Sequence, residues 1–279
     1  MSEFTTFRTG GPASFSATPD TIGKLRSIIG FCIETGTKYY VIGRGSNILV
    51  SDSGIDGAVI FTSGLESIEL ENGGTIKCLA GTPLIRLCSF ALENSLSGLE
   101  FAYGIPGSAG GAVYMNAGAY GGEMKDVALS VTALSPDGSV REVPAAEMAL
   151  GYRTSVFKTN GDIILFAKYN LHTGDKSAIK AQMEEIMGRR KSKQPLEYPS
   201  AGSVFKRPEG AFAGTLIEQC GLKGKTVGGA QVSEKHAGFI INVGGATCDD
   251  VMELVKVVQD TVKAETGYIL EREIIRTGR

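Results

Sequence analysis

The sequence predicts an α+β chain built from more than one substructure. Short apolar strands interleave with amphipathic helices, 279 residues suffice for a sizeable core, and the composition turns basic near Ser177. That shift sets the last of three expected divisions, residues 1–64, 65–176 and 177–279.

The elements follow in order. Thr21 to Thr35 places Ile22, Leu25, Ile28, Ile29 and Ile33 at helical intervals, with Asp20 or Thr21 available as N-cap. Lys38 to Ile42 reads as a buried strand that runs into Gly43-Arg44-Gly45-Ser46-Asn47 and leaves through Ile48-Leu49-Val50. That glycine turn is either a phosphate cradle or a plain hairpin turn. Ala58 to Phe61, Ile68 to Leu70 and Thr75 to Ala80 read as strands, with Asn72-Gly73-Gly74 a hairpin turn between the last two. Pro83 to Asn94 offers a helix with Leu84, Leu87, Cys88, Ala91 and Leu92 on one face. Val127 to Leu134, Val140 to Val143 and Ile163 to Lys168 are further strands. Ser177 to Lys193, Gly210 to Cys220 and Asp249 to Thr266 are the remaining helices, and Phe239 to Asn242 and Ile269 to Ile275 the closing strands.

Composition narrows the function. A chain that is 42% hydrophobic and 21% charged is an ordinary globular protein, and a net charge of −2 excludes a general nucleic-acid or anionic-membrane role. The first residues lack the pattern of a secretory leader, and no run approaches the roughly 18 apolar residues of a membrane span, so a cytoplasmic protein without membrane insertion is expected. Five cysteines without a C-x-x-C pair fit free thiols acting as small hydrophobes. With two histidines in the chain, a histidine metal site or a Ser-His-Asp triad has few candidates, and no metal is expected.

The stretch Leu99 to Glu123, LEFAYGIPGSAGGAVYMNAGAYGGE, is dense in glycine and lacks the periodicity of a packed element. Missing Cβ atoms let the main chain take φ > 0 and turn its N–H groups on an anion, so a large anionic cofactor is the natural occupant. A solvated linker is the bland alternative, but it would have no use for Ile105, Val113, Tyr114 or Met115. Further on, Arg189, Arg190, Lys191, Lys193, Lys206, Arg207, Lys223 and Lys225 form a basic run in an acidic protein. It suits a diphosphate or carboxylate, or else helix capping and a solvated face.

Seven separated motifs stand in one order: TTFRTGGPA at Thr5, GRGSNILV at Gly43, GIPGSAGGAVYMNAGAYGGE at Gly104, GYRTSVFK at Gly151, SAGSVFKRP at Ser200, GAQVSEKHAGFIIN at Gly229 and LEREI at Leu270. Together they cover nearly the whole chain, which resembles the UDP-N-acetylenolpyruvoylglucosamine reductase (UDP-N-acetylmuramate dehydrogenase) family. The resemblance implies an FAD-binding region of two α+β subdomains, of the vanillyl-alcohol oxidase/PCMH type, followed by a C-terminal α+β substrate domain. It implies non-covalent FAD held by Arg44, Gly45, Ser46, Asn47, Ile48 and Leu49 and by Gly104, Pro106, Gly107, Ser108, Gly110, Gly111, Asn116 and Gly118. NADPH is the implied hydride donor, and a UDP-sugar enolpyruvyl ether the implied substrate, reduced for peptidoglycan synthesis.

The same resemblance carries catalysis to Arg153, Ser203 and Glu273, with Tyr152, Lys193, Lys206 and Arg207 toward the substrate. Reducing an enolpyruvyl ether needs a hydride, a proton and a partner for the negative charge that develops on the carboxylate. Arg153 and Glu273 would stabilise that intermediate, Glu273 as a protonated or donor-orienting acid, and Ser203 would deliver the proton once polarised by water, Lys206 or Arg207. Each has a bland alternative: Arg153 in a surface ion pair, Ser203 as a turn or cap residue, Glu273 as an exposed strand residue. Where relatives commonly have proline this chain has Arg272, and Glu271 is a competing acid that strand alternation puts on the same face as Glu273. Motif position selects Glu273. The short stretch from Phe157 to Lys193 implies the subtype without an added tyrosine loop. Two other readings compete: a flavin oxidase of another small molecule, and a nucleotide-binding module without turnover.

Overall fold

The computed structural model describes residues 1–279. In chain order the first elements are β1 (Ala13–Ala17), α1 (Ile22–Glu34), β2 (Tyr39–Ile42), β3 (Ile48–Val50), β4 (Ile55–Phe61), β5 (Ile68–Leu70), β6 (Thr75–Leu79) and α2 (Leu84–Glu93). There follow β7 (Leu96–Ser97), α3 (Ala109–Tyr114), β8 (Gly118–Ala119), β9 (Gly122–Glu123), β10 (Ala128–Leu134), β11 (Val140–Pro144), β12 (Ile163–Asn170) and β13 (His172–Thr173). The last are α4 (Lys176–Lys193), α5 (Ala213–Gln219), β14 (Thr226–Val227), β15 (Ala230–Val232), β16 (Ile240–Asn242), α6 (Cys248–Thr266) and β17 (Ile275–Thr277).

These elements fall into two compact units that are interleaved in sequence. One joins Met1–Ser14, Gly45–Asp56 and Arg190–Arg279; the other joins Phe15–Arg44 and Gly57–Arg189. These units are not the contiguous residues 1–64, 65–176 and 177–279 of the expected division: the chain changes unit inside β1, β4 and α4 and at the glycine turn 44–45.

In the larger unit an antiparallel sheet in the order β11-β10-β12-β6-β5 presents alternate residues to α2 and α3. Ile76 and Cys78 of β6, Val131 and Ala133 of β10, and Ala167 and Tyr169 of β12 pack with Leu84, Leu87, Cys88 and Ala91 of α2 and with Ala112 and Val113 of α3. Burial pushes the Cys78 thiol up to about 11, as fits a thiol used as a small hydrophobe. A second core sets Leu25 and Ile29 of α1 against Ile60, Leu65 and Leu165. Thr21 is the cap of α1, its side chain accepting from the Lys24 N–H at 3.2 Å.

The smaller unit packs β14, β15 and β16 against the apolar face of α6, where Val251, Leu254, Val255, Val258 and Val262 meet Leu216, Ile217 and Val232. β3 pairs in parallel with β17, Ile48 opposite Ile275 and Val50 opposite Thr277. The amino end of α6 is satisfied amide by amide. Asp52 accepts from the N–H groups of Cys248 at 2.8 Å and Asp249 at 3.1 Å, and Thr247 accepts from Asp250 at 3.0 Å. Asp52→Ala removes two of these acceptors and is expected to lower stability by about 1–2 kcal/mol, read as a lower urea midpoint at unchanged slope.

Three expectations need correction, and one strand was missed. The glycine-dense run contains α3, a helix whose Ala109, Gly110, Ala112 and Val113 are buried. Residues 269–274 form no continuous strand; Arg272 makes an isolated bridge to Phe205 and regular pairing begins at Ile275. Gly43 to Asn47 is no hairpin turn, since β2 pairs with β4 and β3 with β17. β1 was not foreseen, because Ala13-Ser14-Phe15-Ser16-Ala17 offers little apolar alternation.

Candidate active site

The glycine residues of the larger unit act first through close approach. A Cβ on Gly43 would lie 2.6 Å from the Ser108 hydroxyl, so the end of β2 and the start of α3 meet at a place only glycine allows. Ser108 is buried and caps α3, its hydroxyl accepting from the Gly111 N–H at 3.3 Å. Gly104 and Gly107 have φ of 81° and 136°, and Pro106 between them is exposed. Arg44 is exposed, its Nη1 3.4 Å from Glu66, which also holds Arg86 at 2.6 Å.

Two expected cofactor residues have other uses. The Gly110 N–H donates to the Ala80 carbonyl at 2.9 Å, and a Cβ there would come within 2.7 Å of the Ala80 Cβ; Gly110 is a helix-to-strand packing residue. Asn116 is fully buried, and its side chain is committed inside the protein: Nδ2 donates to Gly151 O at 2.9 Å and Glu123 Oε2 at 2.5 Å, and Oδ1 accepts from the Lys125 N–H at 2.9 Å. Gly118 pairs with Glu123 across the β8–β9 hairpin.

Arg153 occupies a two-residue turn in the same unit. Gly151 and Thr154 exchange N–H···O bonds of 3.2 Å around Tyr152 and Arg153, and Arg153 has φ of 55°. An arginine held there costs about 1–3 kcal/mol, which the surroundings must offset. Its Nη2 donates to Gly118 O at 3.2 Å, its guanidinium lies 5.0 Å from the centroid of the exposed Tyr152 ring, and Lys158 Nζ donates to its carbonyl at 3.1 Å.

The smaller unit brings the other two candidate catalytic residues onto adjoining backbone. Ser203 bridges Phe239, Phe205 bridges Arg272, and the Glu273 N–H donates to Val204 O at 2.7 Å. Asn47 joins them: its Nδ2 is 3.4 Å from Glu273 O, and its own carbonyl accepts from the Ile275 N–H at 3.0 Å. Gly45 lies on the Thr5 backbone, with the Thr6 N–H donating to its carbonyl at 3.2 Å, which gives the TTFRTGG motif a supporting role under the turn. Ser46 and Ile48 are partly buried, whereas the Leu49 side chain is wholly inside the core of the smaller unit, which leaves its main chain as the part that could face a ligand.

The basic run is largely paired. Lys206 reaches the exposed Glu271 at 3.0 Å, Lys223 reaches Glu218 at 2.6 Å and Arg207 stacks 3.9 Å from the Phe212 centroid, while Lys193 ends α4 exposed. Lys206 thus engages the acid that competed with Glu273. His236 carried no role in the sequence reading beyond its motif. It shapes the loop behind Ser203, Nδ1 accepting from the Gly238 N–H at 3.1 Å while Gly238 O accepts from the Val204 N–H at 2.9 Å; burial lowers its pKa.

Comparison with known proteins identifies the family of the chain. Residues 13–144 match the family described as FAD binding domain, and residues 194–277 match the family described as UDP-N-acetylenolpyruvoylglucosamine reductase, C-terminal domain. Together they define an FAD-binding oxidoreductase whose α+β cofactor region precedes an α+β C-terminal domain. The chain is 46% identical over 279 residues to a UDP-N-acetylenolpyruvoylglucosamine reductase of Limosilactobacillus fermentum, covering all of this chain and 93% of the relative. A reductase of the same name from Clostridium beijerinckii is 49% identical over 274 residues, with 98% and 90% covered. The crystal structure of UDP-N-acetylenolpyruvylglucosamine reductase from Thermus caldophilus superposes with a TM-score of 0.84 at 36% identity, covering 99% of this chain and 96% of that one. The chain belongs to the UDP-N-acetylenolpyruvoylglucosamine reductase family.

Proposed function

We propose that this protein is a cytoplasmic, NADPH-dependent flavoenzyme that reduces the enolpyruvyl ether of UDP-N-acetylglucosamine enolpyruvate to UDP-N-acetylmuramate for peptidoglycan synthesis. The observation that carries this reading is the backbone pairing between the segment that follows Ser203 and the segment of Glu273, in which the Glu273 N–H donates to Val204 O and Asn47 of the first glycine turn bonds to Glu273 O. The close packing of Gly43 against the Ser108 hydroxyl supports the cofactor reading, since it brings the two glycine-bearing stretches assigned to FAD next to each other. No helix of the chain is long and apolar enough to cross a membrane.

In this reading Arg44, Gly45, Ser46, Asn47 and Ile48, with Gly104, Pro106, Gly107, Ser108, Gly111 and Gly118, hold FAD without a covalent bond. When bound, FAD supplies the hydride. Arg153 compensates the negative charge that gathers on the substrate carboxylate, the larger electrostatic contribution to the step. Ser203 delivers the proton, and Glu273, protonated, orients the donor and shares the charge. Tyr152, Lys193, Lys206 and Arg207 bind the carboxylate or the diphosphate, the last two by exchanging Glu271 and Phe212 for the ligand. Functionally, residues 1–64 and 65–176 serve the cofactor and 177–279 the nucleotide sugar. The chain passes from β12 and β13 to α4 without an inserted loop, which supports the subtype lacking the tyrosine loop.

The purified protein is expected to be yellow and to oxidise NADPH in proportion to added UDP-N-acetylglucosamine enolpyruvate. A colourless preparation that FAD does not reconstitute, or NADPH oxidation indifferent to the UDP-sugar, would end this reading.

A further inference from the structure

We propose that Asn116 is a positioning residue for Arg153: its amide ties the start of the Tyr152–Arg153 turn to the hairpin whose carbonyl receives the arginine. The inference rests on the role given to Arg153 above. A cofactor contact by this side chain would need the amide to break bonds it already makes, since both Nδ2 hydrogens and Oδ1 are engaged inside the protein.

The geometry has two ends. One Nδ2 bond, of 2.9 Å, holds Gly151 O, the residue that opens the turn. The other, of 2.5 Å, holds Glu123 Oε2, and Glu123 is the register partner of Gly118, whose carbonyl receives Arg153 Nη2 at 3.2 Å. Glu123 is steadied in turn by Lys125, whose own N–H donates to Asn116 Oδ1 at 2.9 Å. The donor and the acceptor of the Arg153–Gly118 bond are thus both referred to one buried amide. Ser155 Oγ, donating to Tyr114 O at 2.7 Å, fixes the exit of the same turn.

Asparagine suits the position twice. Its φ of 41° is left-handed, where Asn is tolerated better than most side chains, and it alone offers two donors and an acceptor on so short a stem. Aspartate keeps shape and backbone tolerance but turns an oxygen on two acceptors, the Gly151 carbonyl and the Glu123 carboxylate.

The test compares Asn116→Asp with Asn116→Gly, which keeps the left-handed backbone and removes the side chain. In either variant the product-forming half-reaction is expected to slow by about 10²-fold, with FAD content and flavin reduction by NADPH within about twofold of wild type. Added to Arg153→Ala, Asn116→Gly should slow that half-reaction less than about twofold further, because both act on one interaction. In the holoenzyme, amide hydrogen exchange across residues 151–156 should quicken in Asn116→Gly. Loss of FAD with normal turn exchange would make Asn116 a cofactor residue and overturn the proposal; so would a full additional loss in the Arg153→Ala background. If Arg153→Ala itself turns over normally, the role of Arg153 fails, and the exchange of residues 151–156 still decides whether Asn116 holds the turn.

Discussion

Ser203→Ala is expected to lose product formation by about 10²–10⁴-fold while NADPH still reduces the bound flavin. The side chain is partly buried, and its segment is fixed by the backbone: Val204 N–H to Gly238 O at 2.9 Å, Glu273 N–H to Val204 O at 2.7 Å and Lys206 N–H to Glu271 O at 2.8 Å. Val204 and Phe205 anchor it in the core of the smaller unit. Removing one hydroxyl from so constrained a strand leaves the fold in place, so a loss of turnover reports chemistry. Stopped-flow absorbance of the flavin, followed by mass analysis of the product, separates the two half-reactions. Turnover within a few-fold of wild type would mean that another group supplies the proton.

Gly110→Val should have the largest effect on the fold. The missing Cβ lets α3 lie against Ala80, where an added carbon would sit 2.7 Å from the Ala80 Cβ and 3.1 Å from its backbone. Two bonds depend on that approach, Gly110 N–H to Ala80 O and Ala109 N–H to Thr82 O, each 2.9 Å. Both partners are main chain or a bare methyl, so no flexible side chain can swing aside. Overpacking at such a contact costs about 3 kcal/mol, and the thermal midpoint should fall by roughly 5–10 °C with weaker retention of FAD. A melting curve unchanged from wild type would show that α3 can shift away from the sheet at little cost.

The sequence made the periodic elements legible to within a residue or two. α1, α2 and α6 carry apolar residues at helical intervals together with capping residues such as Thr21 and, at the far end of α6, Gly267 with φ of 78°. α3 was hidden because Ala109-Gly110-Gly111-Ala112 has no polar face, the helix being packed by smallness. The short strand β17 was misplaced because its partner β3 lies more than two hundred residues earlier, and nothing local records such a pairing. The same distance separates Asn47 from Glu273, so motif order could name both residues without revealing that they touch. The role of Asn116 was equally out of reach, since an asparagine amid glycines reads as a turn or ligand residue until its three buried bonds are seen. Lys206 looked available to polarise Ser203, and only coordinates show it engaged with Glu271.

The interleaved chain path of the smaller unit bears on how the protein is made. Gly11 N–H bonds to Ser51 O at 2.9 Å, and Ser51 N–H bonds to Thr277 O at 2.9 Å. On a ribosome the first of these links can form early, but the second waits until residues 275–277 have emerged. During that interval β3 is an unpaired edge and Asn47 lacks its bond to Glu273 O, so this part of the smaller unit is completed only once residues 273–277 are in place.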